Sequence, residues 1–283
     1  MWAAALITLR EGVEAFLIVG ILLGYLTKTG LRRYNRQVWA GALAAGLVSL
    51  GLGVLLHRFA VELEGPAEES FELIISLVAV SVLTYMVLWM HRQNRSMKND
   101  IERRLSAAAV SGNQVLALAA LAFISVFREG LETALYLVAT AVQSRGGGML
   151  AGAVLGLALA AALVYAIFKM TVRLNLRSFF IATGALVLLI GAGMAGHIAE
   201  ALGELGILPE MIAHVWDSSF IVSGTSFAGR MLHAFIGYEP APSLLWVIFY
   251  FGYLAASGSM FLKGVLGANS ARQAGGVHAA RVH

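Results

Sequence analysis

The sequence predicts an all-α integral membrane protein with seven transmembrane helices. Of its 283 residues, 59% are hydrophobic and only 13% are charged, and its mean hydropathy is +0.79. In a soluble globular domain about a quarter of the residues are charged, so this composition indicates a membrane protein. An apolar run of about 20 residues is long enough to span a bilayer as a helix. The apolar runs here are continuous rather than alternating, which favours helices over the strands of a membrane barrel.

Seven apolar runs are long enough to be spans. Spans 1–3 and spans 4–6 are predicted to form an inverted repeat, with span 7 as an addition. The predicted spans are 3–26, 38–57, 71–90, 115–142, 148–168, 179–201 and 244–262. The predicted domains are a first three-helix repeat (1–90), a cytoplasmic linker with an interfacial helix (91–114), a second three-helix repeat (115–201), an outer loop (202–243), and the seventh span with a cytoplasmic tail (244–283).

The basic residues predict the orientation in the membrane. Alternate loops hold 15 Lys and Arg on one side of the membrane and 3 on the other. Because basic loops stay on the cytoplasmic side, the N-terminus is predicted outside and the C-terminus in the cytoplasm. The basic residues lie in short loops between spans, so they do not indicate nucleic-acid binding. The absence of cysteine excludes disulfides and thiolate metal sites.

Two spans contain the same charged motif in an apolar context. Span 1 has "LREGVEAFL" (9–17) and span 4 has "FREGLETAL" (127–135). A charge at the bilayer centre costs about 3 kcal/mol on insertion scales, so the charges need partners. In a helix, each Arg and the second Glu are four residues apart and are neighbours on one face. The residues of the two motifs are Arg10, Glu11, Gly12 and Glu14, and Arg128, Glu129, Gly130 and Glu132.

The two motifs are predicted to form one cation site. They lie at matching depths in spans of opposite direction, so they meet near the midplane, where inverted-repeat transporters bind their substrates. The four Glu side chains (Glu11, Glu14, Glu129 and Glu132) would bind the metal, and Arg10 and Arg128 would support them. Gly12 and Gly130 would permit close helix approach or a local break in the helix. The alternative is that these charges only form buried ion pairs that hold helices together.

The ligand set restricts the ion. Carboxylates without Cys, His or Met favour hard cations such as Mg²⁺, Ca²⁺, Mn²⁺ and Fe³⁺. Four Glu and two Arg sum to −2, which a divalent or trivalent cation brings close to neutral. A di-iron enzyme core would require Glu-x-x-His pairs, which neither motif contains.

Other polar residues are weaker candidates. Glu68, Glu69 and Glu72 at the outer start of span 3 are a candidate entry site for cations. They are equally explained as acids at a helix N-terminus, where the helix dipole favours them. His197 and Glu200 are three residues apart near the outer end of span 6 and are candidate metal ligands. No role for Asp217 follows from the sequence.

The doubled motif resembles the oxidase-dependent iron permease family, which includes fungal high-affinity iron permeases and bacterial ferrous-iron-uptake permeases. The segments "ESFELIISLVAVSVLTYMVLWM" (69–90) and "GYEPAPS" (237–243) are similar to its bacterial branch. The resemblance implies iron uptake across the bacterial cytoplasmic (inner) membrane through Glu11, Glu14, Glu129 and Glu132. It also implies that a periplasmic partner (a ferroxidase, cupredoxin or iron-binding protein) oxidises ferrous iron before transport.

The resemblance implies a transporter rather than an enzyme, with iron as its substrate and no permanently bound cofactor. Its family also contains lead transporters, so another metal cation such as lead is an alternative substrate. An intramembrane enzyme that uses the carboxylates as acid and base is a second alternative. That alternative is disfavoured, because the spans contain no clear Ser–His or His–Glu–x–x–His pattern.

Overall fold

The computed structural model describes residues 1–93, 103, 113–143, 148–169, 175–209 and 212–279. Within these residues the regular secondary structure is helical, which confirms the predicted all-α class. The helices are α1 (Trp2–Lys28), α2 (Asn35–Glu62), α3 (Pro66–Gln93), α4 (Gln114–Gln143), α5 (Met149–Lys169), α6 (Leu176–Glu204), α7 (Phe227–Ile236) and α8 (Leu244–Ala279). A 3₁₀ turn, Arg32–Tyr34, joins α1 to α2. The predicted interfacial helix in the 91–114 linker lies largely outside the described residues.

Six of the described helices are long and apolar enough to cross a membrane: α2, α3, α4, α5, α6 and α8. Helix α1 has 27 residues, which corresponds to about 40 Å of helix and exceeds the thickness of a bilayer core. Its middle contains Arg10, Glu11 and Glu14, at the same motif positions as Arg128, Glu129 and Glu132 in α4. Its role as the first of seven spans therefore depends on how these charges are satisfied.

The described residues within 1–79 and 96–175 form one compact unit, in which α1 packs against α5. Glycines make this contact close. A Cβ added at Gly12 would lie 2.9 Å from the Cβ of Ala160, and one added at Gly152 would lie 2.1 Å from the carbonyl oxygen of Met1. Gly12 follows Met1 by eleven residues and Ala160 follows Gly152 by eight, so the two helices run parallel.

The same packing recurs between α2 and α4. A Cβ added at Gly130 would lie 2.3 Å from the Oγ of Ser49, and one added at Gly41 would lie 2.2 Å from the carbonyl oxygen of Ala119. Gly130 follows Ala119 by eleven residues and Ser49 follows Gly41 by eight, the spacings found in the α1–α5 pair. The two contacts are therefore equivalent: α4 occupies the place of α1, and α2 occupies the place of α5.

Helices α1 and α4 also pack against each other, and they are antiparallel. Leu22 and Leu26 near the end of α1 belong to the same apolar cluster as Leu118 near the start of α4. Glu11, earlier in α1, lies close to Glu129, later in α4. The first two helices of each predicted repeat are therefore related by an inversion of direction, and the motif of α1 faces the motif of α4.

The described residues within 80–95 and 176–283 form a second compact unit, in which α6 packs against α7 and α8. The predicted outer loop 202–243 contains α7, whose first turn is capped by Ser226, with Oγ accepting a hydrogen bond from the Gly229 N–H at 2.9 Å. Gly237, with φ +64°, ends this helix. The chain on either side of α7 is held together by the Ser218 N–H, which donates to the Pro240 carbonyl at 2.8 Å.

Candidate metal site

The charged residues of the first motif are buried inside the first unit. The side chains of Arg10, Glu11 and Glu14 are 0%, 1% and 3% exposed. The Nη1 of Arg10 contacts the Oε1 of Glu11, and its Nη2 lies 3.2 Å from the Oε1 of Glu14. The planar guanidinium fork therefore contacts two carboxylates at once, which the compact ammonium of Lys does less well.

The second motif repeats this arrangement in a more open form. The Nη2 of Arg128 donates to the Oε1 of Glu129 at 2.5 Å, whereas its Nε lies 3.9 Å from the Oε1 of Glu132. The two carboxylates are buried, but the Arg128 side chain is 43% exposed. In both motifs the predicted contact between residues four apart is present, and the Arg lies still closer to the adjacent Glu.

Three of the four predicted carboxylates form a tight group. One oxygen from each of Glu11, Glu14 and Glu129 lies within 4.8 Å of the others, and all three residues are buried. Two of these residues come from α1 and one from α4, so the group joins the two motifs. Glu132 lies one helical turn after Glu129 and is not a member of this group.

Several carboxylate oxygens of the site have no hydrogen-bond donor among the described residues. They are the Oε2 atoms of Glu11, Glu129 and Glu132. A buried charged oxygen without a partner is costly, and the cost is largest where several acids are close together. The arrangement is therefore typical of a site that is completed by a cation, with hard oxygen ligands from two helices.

The glycines of the motifs have a packing role. Gly12 faces α5 and Gly130 faces α2, and in each case a methyl group would come within 3 Å of the neighbouring helix. A larger residue would push α5 or α2 away from the helix that bears the carboxylates. The prediction of close helix approach matches this geometry, and α1 and α4 continue through both glycines without a break.

Two hydroxyl groups near the carboxylates were not predicted from the sequence. Thr8 precedes Glu11 by three residues, and Tyr136 follows Glu132 by four, so each shares a helix face with a motif carboxylate. Both side chains are buried, Tyr136 completely, and neither hydroxyl has a partner among the described residues. A single Thr or Tyr in an apolar span has no distinguishing pattern, so only the packing reveals them.

The candidate entry residues lie at the start of α3. Glu68 and Glu69 are in its first turn, as expected of acids that interact with a helix dipole. Glu69 is exposed, while Glu68 and Glu72 are half-buried. This position is compatible with both interpretations, so their part in ion capture stays a prediction.

The remaining candidates belong to the second unit. The Nδ1 of His197 lies 3.5 Å from the Oε2 of Glu200, so these two residues are in contact as their spacing predicted. The Oδ1 of Asp217 accepts a hydrogen bond from the Ser219 N–H at 2.8 Å, and the Ser219 contacts hold the pKa of Asp217 below its ordinary value. Asp217 thus stabilises a local turn.

The helical fold defines a multi-pass membrane protein, and the buried acid group shared by two antiparallel helices is its candidate cation site. The chain belongs to the iron permease FTR1 family, which matches residues 1–274. This finding confirms the family resemblance of the doubled motif.

Individual relatives agree with this assignment. The chain is 36% identical over 255 residues to the ferrous iron permease EfeU of Escherichia coli O6:H1, covering 90% of this chain and 92% of the relative. It is also 36% identical over 255 residues to the ferrous iron permease EfeU of Yersinia pestis, covering 90% of each chain. No solved structure matches the chain significantly.

Proposed function

We propose that this protein carries iron across the bacterial cytoplasmic membrane through the carboxylates of its two motifs. Its relatives are named ferrous iron permeases, and its family is one of iron permeases. The observation on which the proposal depends most is the group formed by Glu11, Glu14 and Glu129, whose buried oxygens lie within 4.8 Å of one another. The proposed direction of transport is inward, and the basic loops predict that the N-terminus lies outside.

The charge of the group favours a highly charged ion. Arg10 and Arg128 balance two of the four motif carboxylates, which leaves about two negative charges for the ion to balance. The donors are all oxygen atoms, which prefer hard cations such as ferric iron. The iron taken from the medium would be ferrous. A periplasmic ferroxidase, cupredoxin or iron-binding partner would oxidise it, so that the ion entering the site is ferric.

The antiparallel register suggests a path for the ion. Since α1 and α4 run in opposite directions and Glu129 lies beside Glu11 and Glu14, residues before Glu11 in α1 and residues after Glu129 in α4 lie on the same side of the group. This side is the predicted outer one, and Thr8, Glu132 and Tyr136 lie on it. The ion would therefore meet two hydroxyls first, then the loosely paired Glu132, and finally the closed carboxylate group.

Arg10 has a separate task in this proposal. It is completely buried and contacts both carboxylates of its own motif, so it holds their oxygens in place when no ion is present. Because its charge is fixed, the ion competes with a constant positive charge and is bound less tightly than by carboxylates alone. This competition would let the ion leave the site toward the cytoplasm.

Transport assays on inserted, normally expressed variants test the proposal. Glu14→Gln and Glu132→Gln each remove a charge and a ligand oxygen, so both variants should lose iron uptake into right-side-out vesicles. Glu204→Gln is the matched control, because Glu204 is exposed at the end of α6, outside both motifs. Full uptake by either motif variant would contradict the shared site. Replacement of the iron by Pb²⁺ in the same vesicles tests the choice of metal.

A further inference from the structure

A second group of metal-ligand side chains lies in the second unit, apart from the two motifs. It consists of His197 on α6, His233 on α7 and Glu239, two residues after the glycine that ends α7. One ligand atom from each lies within 4.8 Å of the others. An ion with bonds of about 2.1 Å holds its ligand atoms about 3 to 4.2 Å apart, so a small closure of these side chains would complete a site.

One ring nitrogen of each histidine, Nδ1, already has a partner, as in established metal sites. The Nδ1 of His233 lies 3.1 Å from the carbonyl oxygen of Tyr238, which can only accept, so this Nδ1 is the protonated nitrogen. The Nδ1 of His197 lies 3.5 Å from Glu200, which in turn accepts a hydrogen bond from the Oγ of Ser243 at 3.1 Å. Such carboxylate and carbonyl partners orient ligating imidazoles and leave Nε2 for the metal.

Close backbone packing positions this group. A Cβ added at Gly237 would lie 2.4 Å from the Cα of Gly193, so the end of α7 rests directly on α6. Gly193 precedes His197 by four residues and therefore lies on the same face of α6. The hydroxyl of Tyr250 donates to the carbonyl of Ile236 at 2.6 Å and fixes the last turn of α7.

Solvent can reach the group. His233 is exposed, His197 and Glu239 are half-buried, and the segment lies in the loop predicted to be outside. We propose that His197, His233 and Glu239 bind one divalent first-row transition-metal ion, with Glu200 as a positioning residue for His197. Two imidazoles and one carboxylate, with open positions for water, are the ligand set typical of ferrous iron.

This site differs in chemistry from the carboxylate group. Its nitrogen ligands suit a divalent transition ion, whereas the all-oxygen group suits a harder ion. The identification of the ion as ferrous iron, received before oxidation, rests on the proposed function, whereas the existence of the site does not. Binding is therefore tested directly, without transport.

The experiment uses the purified full chain in detergent with Co²⁺ alone, a redox-stable substitute for ferrous iron. X-ray absorption of the Co²⁺-loaded wild type should show scattering from two imidazoles. The affinity for Co²⁺ should fall at least about tenfold in His233→Ala, Glu239→Gln and the positioning variant Glu200→Gln. His214→Ala is the matched control, because His214 is an exposed histidine of the same loop and is not in the group; it should bind Co²⁺ normally.

The outcomes separate this site from the proposed transport site. A Co²⁺ spectrum without imidazole scattering in the wild type would overturn the inference, whatever the variants do. Unchanged affinity in His233→Ala would overturn it as well. Glu14→Gln should retain the imidazole-bound Co²⁺, and a loss of that signal in this variant would also contradict a site built from His197, His233 and Glu239.

Discussion

The hydroxyl of Tyr136 provides a test in which stability and transport are predicted to change in opposite directions. Tyr136 is completely buried on α4, and its hydroxyl has no partner among the described residues. An unsatisfied buried donor costs about 1–3 kcal/mol, so Tyr136→Phe should raise the free energy of unfolding by about that amount. For a chain of this size, each kcal/mol corresponds to about 2–4 °C in melting temperature.

The same substitution should impair transport. If the hydroxyl contacts the ion on its way to Glu132, its removal loses an interaction with a charged group worth about 1.5–3 kcal/mol. That corresponds to about a tenfold or greater fall in uptake at low iron concentration. Thermal unfolding followed by tryptophan fluorescence and iron uptake into vesicles measure the two effects. Tyr165→Phe, at an exposed position on α5, should change neither. A less stable Tyr136→Phe protein with full uptake would refute the reasoning.

Three further predictions concern the rest of the site and the topology. Arg10→Lys should lower the free energy of unfolding by about 1–3 kcal/mol in thermal unfolding, because the guanidinium fork that contacts two buried carboxylates is lost. Arg128→Lys should lower it less, because Arg128 is half-exposed, and equal losses in the two variants would contradict this. The combined change of Glu68, Glu69 and Glu72 to Gln should raise the KM for iron uptake at normal protein levels, and an unaltered KM would leave them as helix N-terminal acids. A single cysteine at Ser70 should react with an impermeant thiol reagent applied outside, and one at Ser270 should not; the reverse pattern would overturn the orientation.

Much of the fold and of the main site could be predicted from the sequence. The apolar runs gave the helices because about 20 residues without charge have few alternatives to a membrane helix. The repeated motif was visible because charges within such runs are rare and costly. Glu11, Glu14 and Glu129 form one group because α1 and α4 are antiparallel and their motifs face each other. The sequence already indicated this arrangement, since it has the motif in two spans of opposite direction.

The features that could not be predicted depend on packing between segments that are far apart in the sequence. Glu132 lies apart from the tight carboxylate group although it has the same motif position as Glu14. It is also farther from the Arg of its motif, at 3.9 Å from the Nε of Arg128, whereas Glu14 lies 3.2 Å from the Nη2 of Arg10. His197 and Glu200 could be paired from their spacing. Their association with His233 and Glu239 could not, since it requires α7 to rest on α6 through Gly193 and Gly237.

The central claim is that both motifs bind the same ion. The most direct test is the number of ferric ions bound per chain by purified protein carrying His233→Ala, which removes the second proposed site. Iron supplied as a chelate and measured after dialysis should give one ion per chain in this background. Glu11→Gln and Glu129→Gln, added separately, should each abolish that ion, because each removes a ligand of one shared site. If either variant still bound one ion per chain through the other motif, the shared site would be contradicted.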